Sequence, residues 1–157
     1  MDKLLKLLDT NARLTNAQLA AMLNTTEEDV VHQMNELEQA GVVRAYKALI
    51  DWERTDRAYV TAVIELRVTP KRDLGFEGIA EQVMRFDEVE SVYLMSGGYD
   101  LLVTVTGRTF KEVSMFVAKR LSTLDSVLST ATHFVLRRYK ESGVMFLGEQ
   151  KDERGAL

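Results

Sequence analysis

Residues 91–107 read SVYLMSGGYDLLVTVTG, and no other stretch constrains the fold as tightly. Val92 and Leu94, then Leu102, Val103 and Val105, form two apolar β-prone runs, and Ser96-Gly97-Gly98-Tyr99-Asp100 between them carries the turn chemistry of a hairpin. A chain holding this hairpin must build a sheet around it. Adjacent glycines admit positive φ and leave backbone N–H groups uncovered, so a small anionic or zwitterionic group can approach them, with Asp100 beside them to meet an ammonium. The same residues also fit a plain turn in which Asp100 accepts turn hydrogen bonds, and the stretch alone leaves both readings open.

Composition narrows the function classes. At 157 residues the chain suffices for one ordinary domain or two small ones. It has no cysteine, which removes disulfides and thiolate metal sites, and its two histidines, His32 and His133, stand too far apart in sequence to form a ligand pair. No metal is expected. No apolar run approaches the ~20 residues of a membrane span, and Asp2, Lys3 and Lys6 interrupt the leucines at the start, so a cytoplasmic protein with no membrane partner is expected. A net charge of −4 gives no general attraction to nucleic acid, so any DNA contact must be local. No nucleophile–base pair or metal spacing emerges; the reading is therefore of a protein that is not an enzyme, with no catalytic residues and no cofactor.

Before the hairpin the periodicity is helical. Leu4, Leu5, Leu7 and Leu8 form a wide stripe over residues 2–11. Thr15 and Gln18 fit a capping box before Leu19, Ala20 and Leu23. Thr26 can cap a third helix with Asp29 at N3 and Val30, Met34 and Leu37 on one face, terminated by Gly41. Residues 42–45 and 48–50 are short β-prone runs that predict a small two-stranded wing. Three closely spaced helices and a wing make a winged helix-turn-helix, which positions its third helix as a reader of DNA.

From Trp52 the pattern changes. Residues 52–57 predict a linker; residues 57–68 alternate, with Val60, Ala62, Ile64, Leu66 and Val68 on one face; a helix is expected over 74–86, a second over 109–121, and a last strand over 127–136. With the hairpin, the order β-α-β-β-α-β is that of a ferredoxin-like four-stranded antiparallel sheet with both helices on one side. The expected fold is α+β, with a winged helix-turn-helix over 1–51, a linker over 52–57, the ferredoxin-like domain over 58–147 and a fraying polar tail over 148–157. Tyr59, Val63, Tyr93 and Phe134 cannot all lie under two helices, which predicts self-association through the open sheet face.

Leu19-Ala20, Leu37-Glu38-Gln39-Ala40-Gly41-Val42-Val43 and Gly97-Gly98-Tyr99-Asp100, set in this two-module order, resemble the Lrp/AsnC (feast/famine) transcription regulators over about residues 2–145. The resemblance implies a DNA-binding front module and a back domain of the regulation of amino-acid metabolism type, which builds homodimers and higher homo-oligomers, often octamers, and binds an amino acid or related metabolite between subunits. It implies effector contacts at Gly97, Gly98, Tyr99 and Asp100, with Thr130 and Thr132 on the last strand as further candidates.

One departure from that family bears on function. Recognition helices of the family carry several basic residues, whereas residues 26–41 here hold no Lys or Arg against Glu27, Glu28, Asp29, Glu36 and Glu38, a local charge of −5. Such a helix repels phosphates. The candidate DNA contacts are therefore Thr26, His32, Gln33 and Asn35 on the third helix, the amides suited to adenine edges, with Arg13, Arg44 and Lys47 on the backbone. The alternative is a metabolite-sensing oligomeric module with weak or lost DNA binding that acts through a protein partner.

Overall fold

The structure is a computed structural model that describes residues 2–70, 72 and 75–146; the tail expected over 148–157 lies outside the described residues. The chain divides into two compact units, Met1–Ile50 and Asp51–Leu157.

The first unit is helical. α1 (Asp2–Thr10) buries Leu4 and Leu8, one turn apart. α2 (Asn16–Leu23) begins at a complete capping box: the Gln18 N–H donates to Thr15 Oγ1 at 3.2 Å and the Thr15 N–H donates to Gln18 Oε1 at 2.9 Å. It ends at Asn24, whose left-handed backbone (φ 55°) closes the tight joint to the next helix. α3 (Glu27–Gln39) is capped by Thr26, whose hydroxyl accepts from the Asp29 N–H at 3.2 Å, while the Thr25 hydroxyl donates to Asp29 Oδ2 at 2.7 Å. These bonds hold the Asp29 carboxyl below the usual carboxylate range. Their contribution is thus present at neutral pH and is lost only as acid passes through that lowered value. Thr26→Ala is expected to cost about 1 kcal/mol of helical stability, measured as a lower Tm by circular dichroism. Gly41, at φ +67°, ends α3, with the Val42 N–H on the Leu37 carbonyl at 2.9 Å and the Gly41 N–H on the Glu38 carbonyl at 3.0 Å. Leu4, Leu8, Leu19, Ala20, Val30 and Leu37 make one core, against which Leu14, Leu23, Met34 and Val43 pack.

The two-stranded wing expected over 42–50 is not formed: these residues run without strand pairing. Tyr46-Lys47 supplies neither of the left-handed positions that a two-residue hairpin turn needs, so the flanking runs cannot close on each other. Instead the segment returns along α3, where the Tyr46 hydroxyl donates to Glu38 Oε1 at 2.9 Å.

The second unit opens with a 3-10 turn, Trp52–Arg54, and continues through β1 (Val60–Val68), α4 (Glu77–Val83), β2 (Val89–Leu94), β3 (Leu101–Gly107), α5 (Phe110–Phe116, prolonged by a π turn over Val117–Leu121) and β4 (Val127–Phe134). The antiparallel sheet has the order β2-β3-β1-β4. Ala62, Ile64, Leu66, Val68, Leu101, Val103 and Val105 face Ile79 and Val83 of α4 and Val113, Phe116, Val117 and Leu121 of α5, so both helices cover one face. That is the ferredoxin-like arrangement the alternation predicts.

Several details differ. The first strand begins at Val60 rather than 57, the first helix covers Glu77–Val83 within the expected 74–86 with Leu74 outside the described residues, and the last strand stops at Phe134. Phe134 pairs with Ala62, which puts it on the helix face, edge-on to Phe110 at 4.8 Å between ring centres; it is not part of the open face. Phe110 itself stays 54% exposed. A short hairpin, β5 (Lys140–Glu141) and β6 (Val144–Met145), was not anticipated, although Ser142-Gly143 (φ 46° and 81°) supplies the two left-handed positions such a turn requires.

Candidate functional site

On α3 the core stripe of Val30 and Leu37 leaves Glu28, His32, Asn35, Glu36 and Gln39 exposed on the outer side. At 3.6 residues per turn Gln33 stands about 160° around the helix from Asn35, on the flank of the buried stripe, and it is half-buried. The two amides therefore cannot read adjacent bases from one face. His32 Nδ1 lies 3.6 Å from Glu36 Oε2. Thr26 is committed to its cap. Arg44 folds back so that a Cβ on Gly41 would lie 3.2 Å from its Cζ, which places the guanidinium against the C-terminal end of α3, where its charge complements the helix dipole. Arg13, in the turn between α1 and α2, and Lys47 are exposed. The outer face of α3 is thus uncharged or acidic at its centre, with cations supplied from the flanking segments.

In the second unit the hairpin turn joins β2 to β3 as its residues predict, closed by the Met95 N–H on the Asp100 carbonyl at 2.8 Å. Asp100 is also the clasp between this turn and the end of β1. Its N–H donates to the Leu66 carbonyl at 2.9 Å, and its Oδ2 accepts from the Val68 N–H at 2.8 Å. The Asp100 carbonyl thus closes its own turn, while its N–H and carboxylate serve the neighbouring strand. Gly97 and Gly98 are exposed, and a Cβ on either would meet nothing within 4 Å. Gly97, at φ +158°, holds a backbone conformation that residues with side chains rarely adopt, whereas Gly98 does not, so the pair provides one position that favours glycine and bare backbone at a corner.

Thr130 pairs with Leu66, which pairs with Leu101, so Thr130 lies at the same end of the sheet as the turn, two strand spacings or about 10 Å from Leu101. Thr132 is one row deeper, beside Ile64, and both threonines are on the helix side. The other side of the sheet presents Tyr93, Leu102, Glu65 and Ala131 in one row and Ser91, Thr104, Val63 and His133 in the next. Tyr93 is 56% exposed there, and His133 Nε2 lies 3.3 Å from Glu65 Oε1. Tyr59 is already housed, 5.8 Å from the Trp52 ring with its hydroxyl donating to Glu90 Oε1 at 2.8 Å; its burial, then Glu90, raises its pKa.

Among the described residues no helix is long and apolar enough to cross a membrane, and no three His, Asp or Glu gather as metal ligands.

Comparison with known proteins agrees with this geometry. Residues 3–44 match the winged helix-turn-helix DNA-binding family, and residues 61–145 match the Lrp/AsnC ligand binding domain. The chain is 45% identical over 153 residues to the HTH-type transcriptional regulator YugG of Bacillus subtilis, covering 97% of this chain and 92% of the relative. A transcriptional regulator of Neisseria meningitidis, solved as a complex with L-methionine, superposes with a TM-score of 0.73 at 29% identity over 88% of this chain and 89% of that one. Escherichia coli AsnC, at 21% identity and a TM-score of 0.69 over 88% of this chain and 91% of its own, shares the fold. The helical reader unit, the four-stranded ligand-binding unit and a domain match over more than half of the sequence converge: the chain belongs to the Lrp/AsnC family of DNA-binding transcriptional regulators.

Proposed function

We propose that the chain binds DNA as a homo-oligomer and that its assembly or DNA contacts respond to an amino acid or related zwitterion held at Gly97–Asp100 between subunits. The observation that carries this reading is the corner itself: two exposed glycines with open space around them, next to a half-buried carboxylate with one oxygen committed to Val68. Bare N–H groups suit a carboxylate and Asp100 suits an ammonium, but the corner is shallow, so a second copy must supply its other wall. The structural relative solved with L-methionine supports an amino acid as the ligand class. Tyr93, Val63 and Leu102 on the uncovered sheet face support pairing of copies. Thr130 is at the corner's end of the sheet, where it could contribute from a neighbouring copy; Thr132, one row deeper, makes a weaker case.

DNA contact in this reading rests on Asn35 and His32 at the centre of α3, with Arg13, Arg44 and Lys47 on phosphates, and oligomerisation multiplies the weak individual contacts. A mobility shift on the chain's own upstream DNA across a salt series, with sedimentation in the presence and absence of amino acids, tests it. No binding at low salt, or an unresponsive monomer, would refute it. The local charge of −5 over residues 26–41 favours a second reading, in which the front unit meets a protein partner instead. The two separate cleanly. If α3 faces phosphates, Glu28→Lys with Glu36→Lys should raise DNA affinity about tenfold or more at low salt and steepen the salt dependence by roughly 0.9 per added phosphate contact. If α3 faces a protein, the double variant leaves DNA binding negligible.

A further inference from the structure

At the opposite end of the sheet from the glycine corner, the second unit carries a cleft of about 590 Å³ whose walls include Arg57, Tyr59, Glu88, Thr106, Arg108 and Glu112. A neighbouring hollow of about 250 Å³ shares Glu88, Thr106 and Glu112 and adds an apolar wall of Val113, Met115 and Phe116. The two make one trough, polar at one end and apolar at the other, in the size range of small-ligand sites.

The polar end is organised by hydrogen bonds. Glu112 Oε2 accepts from the Arg108 N–H at 2.7 Å, and a Cβ on Gly107 would lie 2.9 Å from Val113 Cγ2, so glycine at this position is what lets α5 close on β3. Arg57 is held over the rings of Trp52 and Tyr59, at 4.6 and 5.8 Å from their centres. Arg120 lies 4.3 Å over the Phe86 ring and donates from Nη1 to Glu88 Oε1 at 2.8 Å. Glu88 Oε2, in contrast, is sealed from solvent and has no hydrogen-bond partner among the described residues. A buried carboxylate oxygen without a donor is unusual in a native fold and calls for one. The terminal torsion of a glutamate is broad and roughly two-fold, and the Glu88 side chain as a whole is 31% exposed on the cleft wall, so a ligand there requires a turn of the carboxylate that uncovers this oxygen while Oε1 keeps Arg120.

The unsatisfied acceptor asks for an ammonium; Arg57 and Arg108, which line the same cleft beside Asp87 and Glu112, are the cations available to a carboxylate; Val113, Met115 and Phe116 accept an apolar chain. We propose that this trough is a second ligand site, for a zwitterionic α-amino acid with a short apolar side chain, complete within one copy of the protein. The ammonium bonds Glu88, the carboxylate is held by Arg108 and Arg57, and the side chain lies along α5. The site does not depend on the glycine corner or on oligomerisation.

Calorimetric titration of the full chain with L-norleucine, pentylamine and hexanoate tests it, because the last two each lack one charged group of the first. Norleucine is expected to bind, and each analogue to bind at least about tenfold more weakly, the loss of one charge-assisted hydrogen-bonded group. Glu88→Gln, which still accepts from Arg120, and Arg108→Gln should each weaken norleucine about tenfold, with unchanged circular dichroism. Gly98→Val, which fills the other corner, should leave this binding intact. No norleucine binding, equal binding of hexanoate, survival of binding in both Glu88→Gln and Arg108→Gln, or its loss in Gly98→Val alone would each overturn the proposal, the last by assigning the ligand to the glycine corner.

Discussion

Leu19→Ala is expected to remove more than half of the stability of the DNA-binding unit while leaving that of the sheet unit unchanged. Leu19 is fully buried where α2 meets the other two helices, and truncating such a leucine removes its transfer free energy and leaves a cavity, at about 3 kcal/mol. A unit of this size, Met1–Ile50, has a total reserve of roughly 5 kcal/mol at ordinary stability per residue. The loss is therefore more than half of what holds the reader together, and its Tm should fall by about 15 °C or more. Hydrogen exchange resolved along the chain is the direct measurement: amides of α2 and α3 should lose protection and those of β1 and β3 keep it. DNA affinity should fall off at a correspondingly lower temperature than in the parent. Unchanged protection in α3 would show that the leucine core does not carry this unit.

The second large effect concerns Asp100, where a structural role and the proposed binding role coincide. Asp100→Ala removes the acceptor of the Val68 N–H, and Val68 is only 4% exposed, so the orphaned donor cannot turn to water. The cost is about 2 kcal/mol and the Tm of the sheet unit should drop by roughly 10 °C. Asp100→Asn keeps a carbonyl oxygen for Val68 and should recover most of this stability. It also deletes the negative charge, so ammonium recognition at the corner should stay impaired. A variant that is folded like the parent but no longer senses an amino acid is the expected signature. Full recovery of both stability and response would show that the carboxylate only clasps the strands.

How much of this was legible beforehand follows from the range of each interaction. The capping box of Thr15 and Gln18, the Thr26 cap and the Gly41 terminator join residues no more than about five apart, and each is present where the local pattern places it. The alternation of Val60, Ala62, Ile64, Leu66 and Val68 selects one buried face correctly because a strand's side-chain period is two. Alternation leaves open which face of a neighbouring strand matches it. Phe134 and the threonines of β4 went to the helix side through their register with Ala62, Ile64 and Leu66, a pairing across 64 to 72 residues of chain.

The sequence by itself determined the two modules, their order, the hairpin at residues 91–107 and the acidic character of α3, since each of these is written in composition or in contacts between near neighbours. Only the tertiary structure decided that Asp100 clasps a strand 32 residues away and that Arg57, Glu88, Arg108 and Glu112 line one trough. The physical reason is common to both. A side chain's local pattern fixes what it can bond to, whereas the partner it finds depends on the register and packing of segments that the chain brings together only when it folds.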